Sequence, residues 1–570
     1  MMLLRPLALF ALTMGLAVLI GDVTVEAAQQ PAKEKLKNKL KRKVELPAPA
    51  PEAKIDPNIP AKPLAPLAGP IGPKDALLVA KMIDEGIAKK LAEGKVAASP
   101  VASDEEFLRR VYLDLTGVIP TSDKARAFLE STDTQKRAKL IDELLESPNF
   151  GRHLADMWQS KLMPRDTNSR FLSRQPLVAW LEAEFNKNTP WNQFVSNLVS
   201  ASGPVEENPG VTFFLANRSV DKLTDAITLN FLGVQLQCAQ CHNHPFTDWK
   251  QTEYWGMAEF FSKVRPDAPR NPKNGADNTK IGVNEGNVRT RAKDFFPESA
   301  KTVPAKFLGG EQPKLSAAEP YRPVLAKWMT DERNPYFAKA MVNRTWALLF
   351  GTGFVNPIDD MHDGNLPSHP ELLESLARNF AGNGFDLKNL YRAICNSQTY
   401  QRTSKPTGGN HTDDQLFSHM TVKVLSPEQL YDSLATITGA EKGGDRAALK
   451  AAAANQKRGP TGPRDQFVQF FLAGAESSNA TEYEAGIPQA LRLMNSRIVN
   501  NPAMIRQFAT SGDKPEVVFE RIYVAGLSRK PTEAEVKRLN EYVAKAATKQ
   551  EAYADILWVV LNSSEFTMIK

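Results

Sequence analysis

The residues best suited to chemistry in this chain lie together in the segment LQCAQCHNHPF, residues 236–246. Cys238 and Cys241 are three positions apart, and on a helical turn this spacing places both thiols on one side. His242 follows directly. Two thiols so placed can bond the two vinyl groups of one porphyrin while the imidazole ligates its iron. The C-x-x-C-H motif therefore predicts covalent attachment of one haem c, with Cys238 and Cys241 as anchors and His242 as proximal ligand.

Other interpretations of the same residues stay open. Cys238 and Cys241 can form a disulfide bond, which an oxidising compartment favours. Together with His242 and His244 they offer four ligands of the zinc type, although the spacing is tighter than in common zinc sites. The thiols can also be buried and inert, in which case the site holds no cofactor.

A second axial ligand for the iron is less evident. Met257 lies downstream in EYWGMAEFF, on a predicted helix, and its thioether could reach the distal side of a haem. A methionine between aromatic residues more often fills a core. The third cysteine, Cys395, lies in a helical pattern and is predicted to be a buried free thiol.

The start of the chain is typical of an exported protein. Arg5 precedes a short apolar run, residues 7–20, and small residues follow near residue 27, as in a secretory signal peptide. The run is shorter than the ~20 residues of a spanning helix. We expect residues 1–27 to be removed and the rest to be periplasmic or associated with the cell envelope, without a transmembrane span.

Residues 28–75 are rich in Pro, Ala and Lys and are predicted to be a disordered linker. The formal net charge is +6, and residues 33–45 hold seven Lys and Arg against two Glu, so most of the excess lies in this linker. The remainder is close to balanced, which argues against a nucleic-acid partner. The expected partners are a periplasmic redox protein or envelope proteins.

After the linker, start signals and periodicities of helices recur, and strand-like alternation is scarce. Helix N-caps are predicted at Ser103, Asp386, Ser426 and Thr532. The predicted fold is mainly α, with two helical domains joined by a polar segment that has short strands.

The domain boundaries follow from composition. The first helical domain, with CAQCH, covers residues 76–265, and the second covers residues 321–570. Residues 266–320, rich in Gly, Asn, Pro and Lys, connect them.

A second group of polar residues lies in IDDMHDG, residues 358–364. Four of its side chains can bind a divalent cation: Asp359, Asp360, His362 and Asp363. They can equally form a polar turn before a helix that starts with a capping box at Ser368 and Glu371. The chain lacks the G-x-S-x-G, P-loop, H-E-x-x-H and dinucleotide motifs, so three common enzyme classes lose support.

Longer stretches resemble a known family. EEFLRRVYLDLTGVIPT and FLGVQLQCAQCHNHPF are similar to the planctomycete cytochrome-c-like domain, which is of unknown function. NPYFAKAMVNRTWALLFGTGFV and LYRAICNSQTYQR are similar to the domain of unknown function that usually follows it. The resemblance spans nearly all of the chain from about residue 76 onwards. It implies a site made of Cys238, Cys241, His242, His244 and Pro245.

These observations lead to three hypotheses of different classes. The first is an exported c-type-cytochrome-like protein that transfers electrons or senses redox state through one haem c. The second is an envelope structural or interaction protein with a CxxC disulfide. The third is a polysaccharide-handling hydrolase that uses a divalent cation near Asp360.

Overall fold

A computed structural model describes residues 65–69, 74–163, 172–245, 247–267, 282–285, 303–438, 462–472, 487–496, 499–500, 502–510 and 512–570. The predicted signal peptide and nearly all of the predicted linker lie outside these residues.

Helices dominate the described residues, as the sequence predicts. In chain order they are α1 Ala76–Gly94, α2 Asp104–Thr116, α3 Ser122–Glu130, α4 Lys136–Glu146, α5 Pro148–Leu162, α6 Gln175–Asn186, α7 Trp191–Val199, α8 Thr212–Ala216, α9 Val220–Ile227, α10 Gln251–Glu259, α11 Arg322–Met329, α12 Phe337–Phe350, α13 Pro370–Gly382, α14 Leu387–Asn396, α15 Pro427–Thr438, α16 Pro463–Leu472, α17 Ile487–Met494, α18 Pro515–Leu527, α19 Glu533–Lys545, α20 Lys549–Leu561 and α21 Ser564–Thr567. The strands are β1 Gly203–Pro204, β2 Val264–Asp267, β3 Gly282–Glu285, β4 Lys423–Val424 and β5 Met568–Ile569.

Four helices start where the sequence predicts an N-cap. In each, the capping side chain accepts the backbone N–H of the residue three positions on, which satisfies a donor that the helix itself leaves free. These caps are Ser103, Asp386, Ser426 and Thr532, and Thr532 forms a complete capping box with Glu535.

The capping box predicted at Ser368 and Glu371 is wrong. Helix α13 begins at Pro370, so His369 takes the N-cap position, and the Ser368 hydroxyl lies 2.9 Å from the ring Nδ1 of His369. Proline suits the first helical position because its fixed φ is already helical. With the helix starting there, Glu371 is the second helical residue and not the third, which the capping box requires.

The short strands predicted in the polar segment are confirmed. Strand β3 pairs with β1 on one side and β2 on the other, both antiparallel, and Val264 faces Glu285 across the β2–β3 pair. Glu285 is also ion-paired with the buried Arg322 at the start of α11, at 2.6 Å. This small sheet therefore attaches the polar segment to the helices on both sides of it.

One large apolar core includes helices from both predicted helical domains. Helix α1 packs on α14, and the backbone segment around Val101 pairs with Arg402. A second apolar cluster joins the C-terminal helices α15–α21 to the end of α2. The described residues, from 65 onwards, accordingly belong to one compact unit. The division at residues 266–320 stays a prediction, and the packing between its two sides is extensive.

None of the helices in the described ranges combines the length and the apolar character that crossing a membrane requires.

Candidate functional site at the CAQCH turn

The CAQCH turn, residues 237–242, follows closely after helix α9. Beyond α9 the backbone forms one π-helical turn, Thr228–Leu232, and reverses at Gly233, whose φ is +65°. A Cβ at Gly233 would lie 3.2 Å from the Ala340 Cβ and 3.3 Å from the Met361 Sδ. Glycine therefore permits both the left-handed backbone and the close approach of two residues from the C-terminal half of the chain.

Helix α10 holds the backbone of the turn in place. Trp255 Nε1 donates to the Gln240 oxygen at 3.1 Å. The side-chain amide of Gln251 donates to the backbone oxygens of Gln240 and Cys241, at 3.1 and 3.0 Å. These bonds satisfy carbonyl groups that regular secondary structure leaves free at an irregular turn. The backbone geometry of the turn is thus fixed by contacts within the protein.

The side chains that the sequence predicts as haem anchors lie on the surface. Cys238, Cys241 and His242 are all exposed, and both thiols are free. Residues Gln237–Gln240 form a 3₁₀ turn, in which side chains three positions apart lie on the same side. Cys238 lies within this turn, Cys241 directly follows it, and both are exposed.

The imidazole of His242 has a defined tautomer. Its Nδ1 lies 2.6 Å from the backbone oxygen of Asn243. A carbonyl oxygen only accepts hydrogen bonds, so Nδ1 carries the hydrogen of the neutral ring. Nε2 then holds the free lone pair. A metal-binding histidine is usually oriented in this way, by a backbone or carboxylate oxygen on its other nitrogen.

The aromatic residues that follow the turn belong to the core. Trp249, Tyr254, Trp255, Phe260 and Phe261 are all buried beneath it. Their large apolar area makes the inner side of the turn part of the main core.

Met257, the residue predicted as a second axial ligand, is in a different environment from the cysteines. It lies on α10 with 0% of its surface exposed, whereas Cys238, Cys241 and His242 are exposed. Its role as a ligand stays a prediction. The third cysteine, Cys395, is a buried free thiol as expected, and burial raises its pKa well above the usual range.

The structure brings the IDDMHDG loop, residues 358–364, to the segment that directly precedes the CAQCH turn. The Met361 backbone N–H donates to the Gly233 oxygen at 2.8 Å. Behind this contact, the buried Arg344 is ion-paired with Asp359. The same guanidinium donates to the backbone oxygens of Leu229 and Asn230 at 3.3 and 3.4 Å. Two segments more than a hundred residues apart in the chain thus form one surface.

Three histidines gather along this junction. Burial lowers the pKa of His244, the positive charges of His362 and His242 lower it further, and Asp360 opposes them. His362 Nε2 lies 3.7 Å from the Asp360 carboxylate, and its Nδ1 accepts the Gly364 N–H at 3.0 Å. Because Nδ1 is an acceptor, the neutral His362 ring carries its hydrogen on Nε2. Of His242 and His362, only His242 therefore presents a free Nε2 lone pair.

The four candidate cation ligands of the IDDMHDG loop are not equivalent. Asp359 is bonded to Arg344, and Asp360 faces His362. Within the described ranges, no three or more His, Cys, Asp or Glu side chains are arranged to hold a metal ion.

A functional candidate that sequence reasoning missed is Asp225 on α9. Burial raises the pKa of its carboxyl group to about 6, and the Asp221 charge adds to the effect. Tyr254 and Gln237 oppose it by hydrogen bonding. Gln237 is the residue before Cys238, so a partly buried, titratable group lies next to the turn. In the sequence, Asp225 is simply an aspartate on a short amphipathic helix. This pattern is too common to identify Asp225 as a functional residue.

Comparison with known families agrees with these motifs. Residues 82–266 match PSCyt2, described as a protein of unknown function (DUF1549). Residues 321–543 match PSD1, also described as a protein of unknown function (DUF1553). No curated protein and no solved structure matches the chain significantly. The CAQCH turn lies in the first matched region and the IDDMHDG loop in the second. The chain belongs to the planctomycete-type proteins of unknown function in which a PSCyt2 domain is followed by a PSD1 domain.

Proposed function

We propose that the chain is an exported electron-transfer protein that carries one covalently bound haem c at the CAQCH turn. Cys238 and Cys241 would hold the haem through two thioether bonds, and the Nε2 atom of His242 would bind its iron. When bound, the haem supplies one-electron oxidation and reduction. The electron donor or acceptor is then another exported redox protein.

One observation carries the proposal: two free thiols and an imidazole with its Nε2 lone pair available are all exposed on one short turn. Each thiol adds across one vinyl group, its sulfur bonding one carbon and its hydrogen moving to the other, so no atom is lost. In the folded chain both thiols are exposed, so the same porphyrin could reach both of them.

The surroundings of the turn support a fixed attachment point. The hydrogen bonds from Trp255 and Gln251 hold the turn backbone through contacts within the protein itself. Below them lies the aromatic core. The Asn243 oxygen keeps the His242 ring in the tautomer that iron binding needs. An exposed haem favours the oxidised, more charged iron, so the expected reduction potential is low among c-type cytochromes.

The test is to produce the full chain with its leader in a host that attaches haem c, and to purify it from the exported fraction. The expected protein shows a Soret band, keeps haem on a denaturing gel and has an intact mass equal to the processed polypeptide plus one haem. Cys238→Ala and Cys241→Ala each remove one thioether bond, and the double variant loses covalent haem. His242→Ala keeps the thioether bonds but changes the Soret position.

Cys395→Ala is the matched control, because this cysteine is buried in α14, away from the turn. It should retain the haem. A colourless exported protein whose mass equals its polypeptide alone would refute the proposal. A mass lower by two hydrogens, abolished in the Cys238→Ala variant, would instead support the structural protein with a CxxC disulfide.

A further inference from the structure

A polar cleft lies where α2, α5 and α15 meet. Its walls are the C-terminal end of α2, the first turns of α5 and the first turns of α15. The cleft encloses about 300 Å³, including the part open to solvent, and inside its walls there is room for about one water-sized group. Helices α2 and α5 lie in the PSCyt2 region and α15 lies in the PSD1 region, so neither region forms the cleft alone. Such junctions are a common place for ligand sites.

His153 on α5 lines this cleft and has unused hydrogen-bonding groups. Its half-buried ring forms no hydrogen bond or ion pair with the described residues. The ring packs against Gly117, the C-cap of α2, where φ is +69° and a Cβ would lie 2.6 Å from the His153 Nδ1. Burial lowers the pKa of His153, although Asp156, Asp114 and Asp432 act against it. The neutral ring therefore keeps one N–H donor and one acceptor nitrogen at pH 7.

Arg152, the preceding residue on α5, also lines the cleft and has donors to spare. Its Nη2 lies 3.2 and 3.4 Å from the two carboxylate oxygens of Asp432, and its Nε and Nη1 donate to none of the described residues. The carboxylates of the cleft are already engaged. Arg464 bonds Asp156 at 2.6 Å and Asp432 at 2.8 Å, and Glu428 is not free either. One guanidinium edge and one neutral imidazole thus remain for a ligand.

We propose that this cleft binds a neutral ligand with adjacent hydroxyl groups, that is, a sugar, through Arg152 and His153. A charged ligand is disfavoured, because guanidinium groups and carboxylates line the same small cleft and either sign of charge meets one of its own kind. A hydroxyl carries no charge and both accepts and donates hydrogen bonds. One hydroxyl can accept from Arg152 while its neighbour donates to the acceptor nitrogen of His153.

The size of the cleft agrees with this ligand class. The room for one water-sized group fits one hydroxyl, with the sugar ring in the part that is open to solvent. A simple alcohol would gain too little over water, whereas a sugar presents several adjacent hydroxyls on one ring. The site needs no haem, so it does not depend on the proposed function.

The test is saturation-transfer NMR on the full exported chain with D-glucose, D-galactose and D-mannose, which differ in the arrangement of their adjacent hydroxyls. We expect at least one of these sugars to bind with a millimolar dissociation constant. His153→Phe keeps a flat ring without hydrogen-bonding groups, and Arg152→Met removes the guanidinium donors. Each should weaken the binding about tenfold or more. Asp432 keeps its bond to Arg464 in Arg152→Met, so this variant should fold.

Three controls accompany these variants. His153→Gln still offers a donor and an acceptor and should bind within about threefold of the unsubstituted protein, which separates lost hydrogen bonds from a damaged fold. Arg538→Met removes an exposed guanidinium on α19, outside the cleft, and should leave the binding unchanged. Sodium acetate, added as a small anion, should not compete with the sugar.

Each outcome supports or overturns the site. The absence of saturation transfer to all three sugars would overturn it, as would sugar binding that is unchanged in both His153→Phe and Arg152→Met. Acetate that displaces the sugar would show that the cleft takes anions and would overturn the ligand class. A protein that binds the sugar through these residues but never binds haem would support this site and refute only the proposed function.

Discussion

Replacing Asp225 by Asn should make the protein more stable at neutral and alkaline pH, and this holds whether or not haem is bound. Burial is the main reason that the pKa of this carboxyl is raised to about 6. In the unfolded chain an aspartate titrates near 3.9. Between these two values the folded state keeps a proton that the unfolded state has released. Stability is therefore lost as the pH rises through this window, and above about pH 6 the full penalty applies.

The magnitude follows from the size of the shift. A difference of about two pKa units corresponds to about 3 kcal/mol, at about 1.4 kcal/mol per unit. This is an upper value for a carboxyl that is only partly buried. At pH 8 the free energy of unfolding of Asp225→Asn should exceed that of the unsubstituted protein by up to about 3 kcal/mol. At pH 4 the two should agree within about 0.5 kcal/mol, because the folded Asp225 carboxyl is then protonated and the unfolded one is only about half ionised.

Urea unfolding followed by tryptophan fluorescence at pH 4, 5, 6, 7 and 8 measures this difference directly, provided that the slope with urea is the same for both proteins. Asp414→Asn removes an exposed carboxylate and serves as the control, with no expected change in the pH profile. A gap between Asp225→Asn and the unsubstituted protein that stays constant from pH 4 to pH 8 would refute the reasoning, since the carboxyl would then titrate alike in both states.

Three further predictions concern other polar side chains. Arg464→Met should lower the unfolding free energy by about 3 kcal/mol in urea titrations, because Arg464 bonds Asp156 at 2.6 Å and Asp432 at 2.8 Å. Asp156 would lose this cation, whereas Asp432 would keep Arg152 at 3.2 Å. Equal stability of the variant would contradict this reasoning. Thr532→Ala should cost about 1 kcal/mol through loss of the capping box, measured as a lower urea midpoint, and Thr532→Ser should restore most of it. Burial lowers the pKa of His369 to about 4, so stability should fall as the pH drops from about 6.5 towards 4. His369→Gln should flatten that acid limb of the stability profile, and an unchanged limb would contradict the assignment.

Local features of this protein could be predicted from the sequence because each depends on residues within one or two helical turns. The caps at Ser103, Asp386 and Thr532 need only a side-chain oxygen and a backbone N–H three positions on, and the structure contains all three. The helical class follows from apolar spacing, and the burial of Cys395 follows from its place on an amphipathic helix. The one local failure, at Ser368, comes from a proline that moved the helix start by a residue.

The sequence predicts which residues form the candidate site, but it does not predict their surroundings. The CxxCH spacing identifies Cys238, Cys241 and His242, because their chemistry lies in adjacent positions. The tautomer of His242 could not be predicted, since it depends on where the Asn243 oxygen points after the chain turns. The burial of Met257 likewise depends on which face of α10 packs inward. The sequence of α10 does not identify that face, because aromatic residues occur around the helix.

What the sequence alone determined is therefore the set of reactive side chains and the helices that carry them. Tertiary structure decided their neighbours: the IDDMHDG loop beside the segment that directly precedes the CAQCH turn, held by Arg344 and Asp359, and the carboxyl of Asp225 next to Gln237. An amphipathic pattern states which face of a helix is buried but not which partner covers it. The partner of each helix is determined by the packing of the whole core, to which residues hundreds of positions apart in the chain contribute.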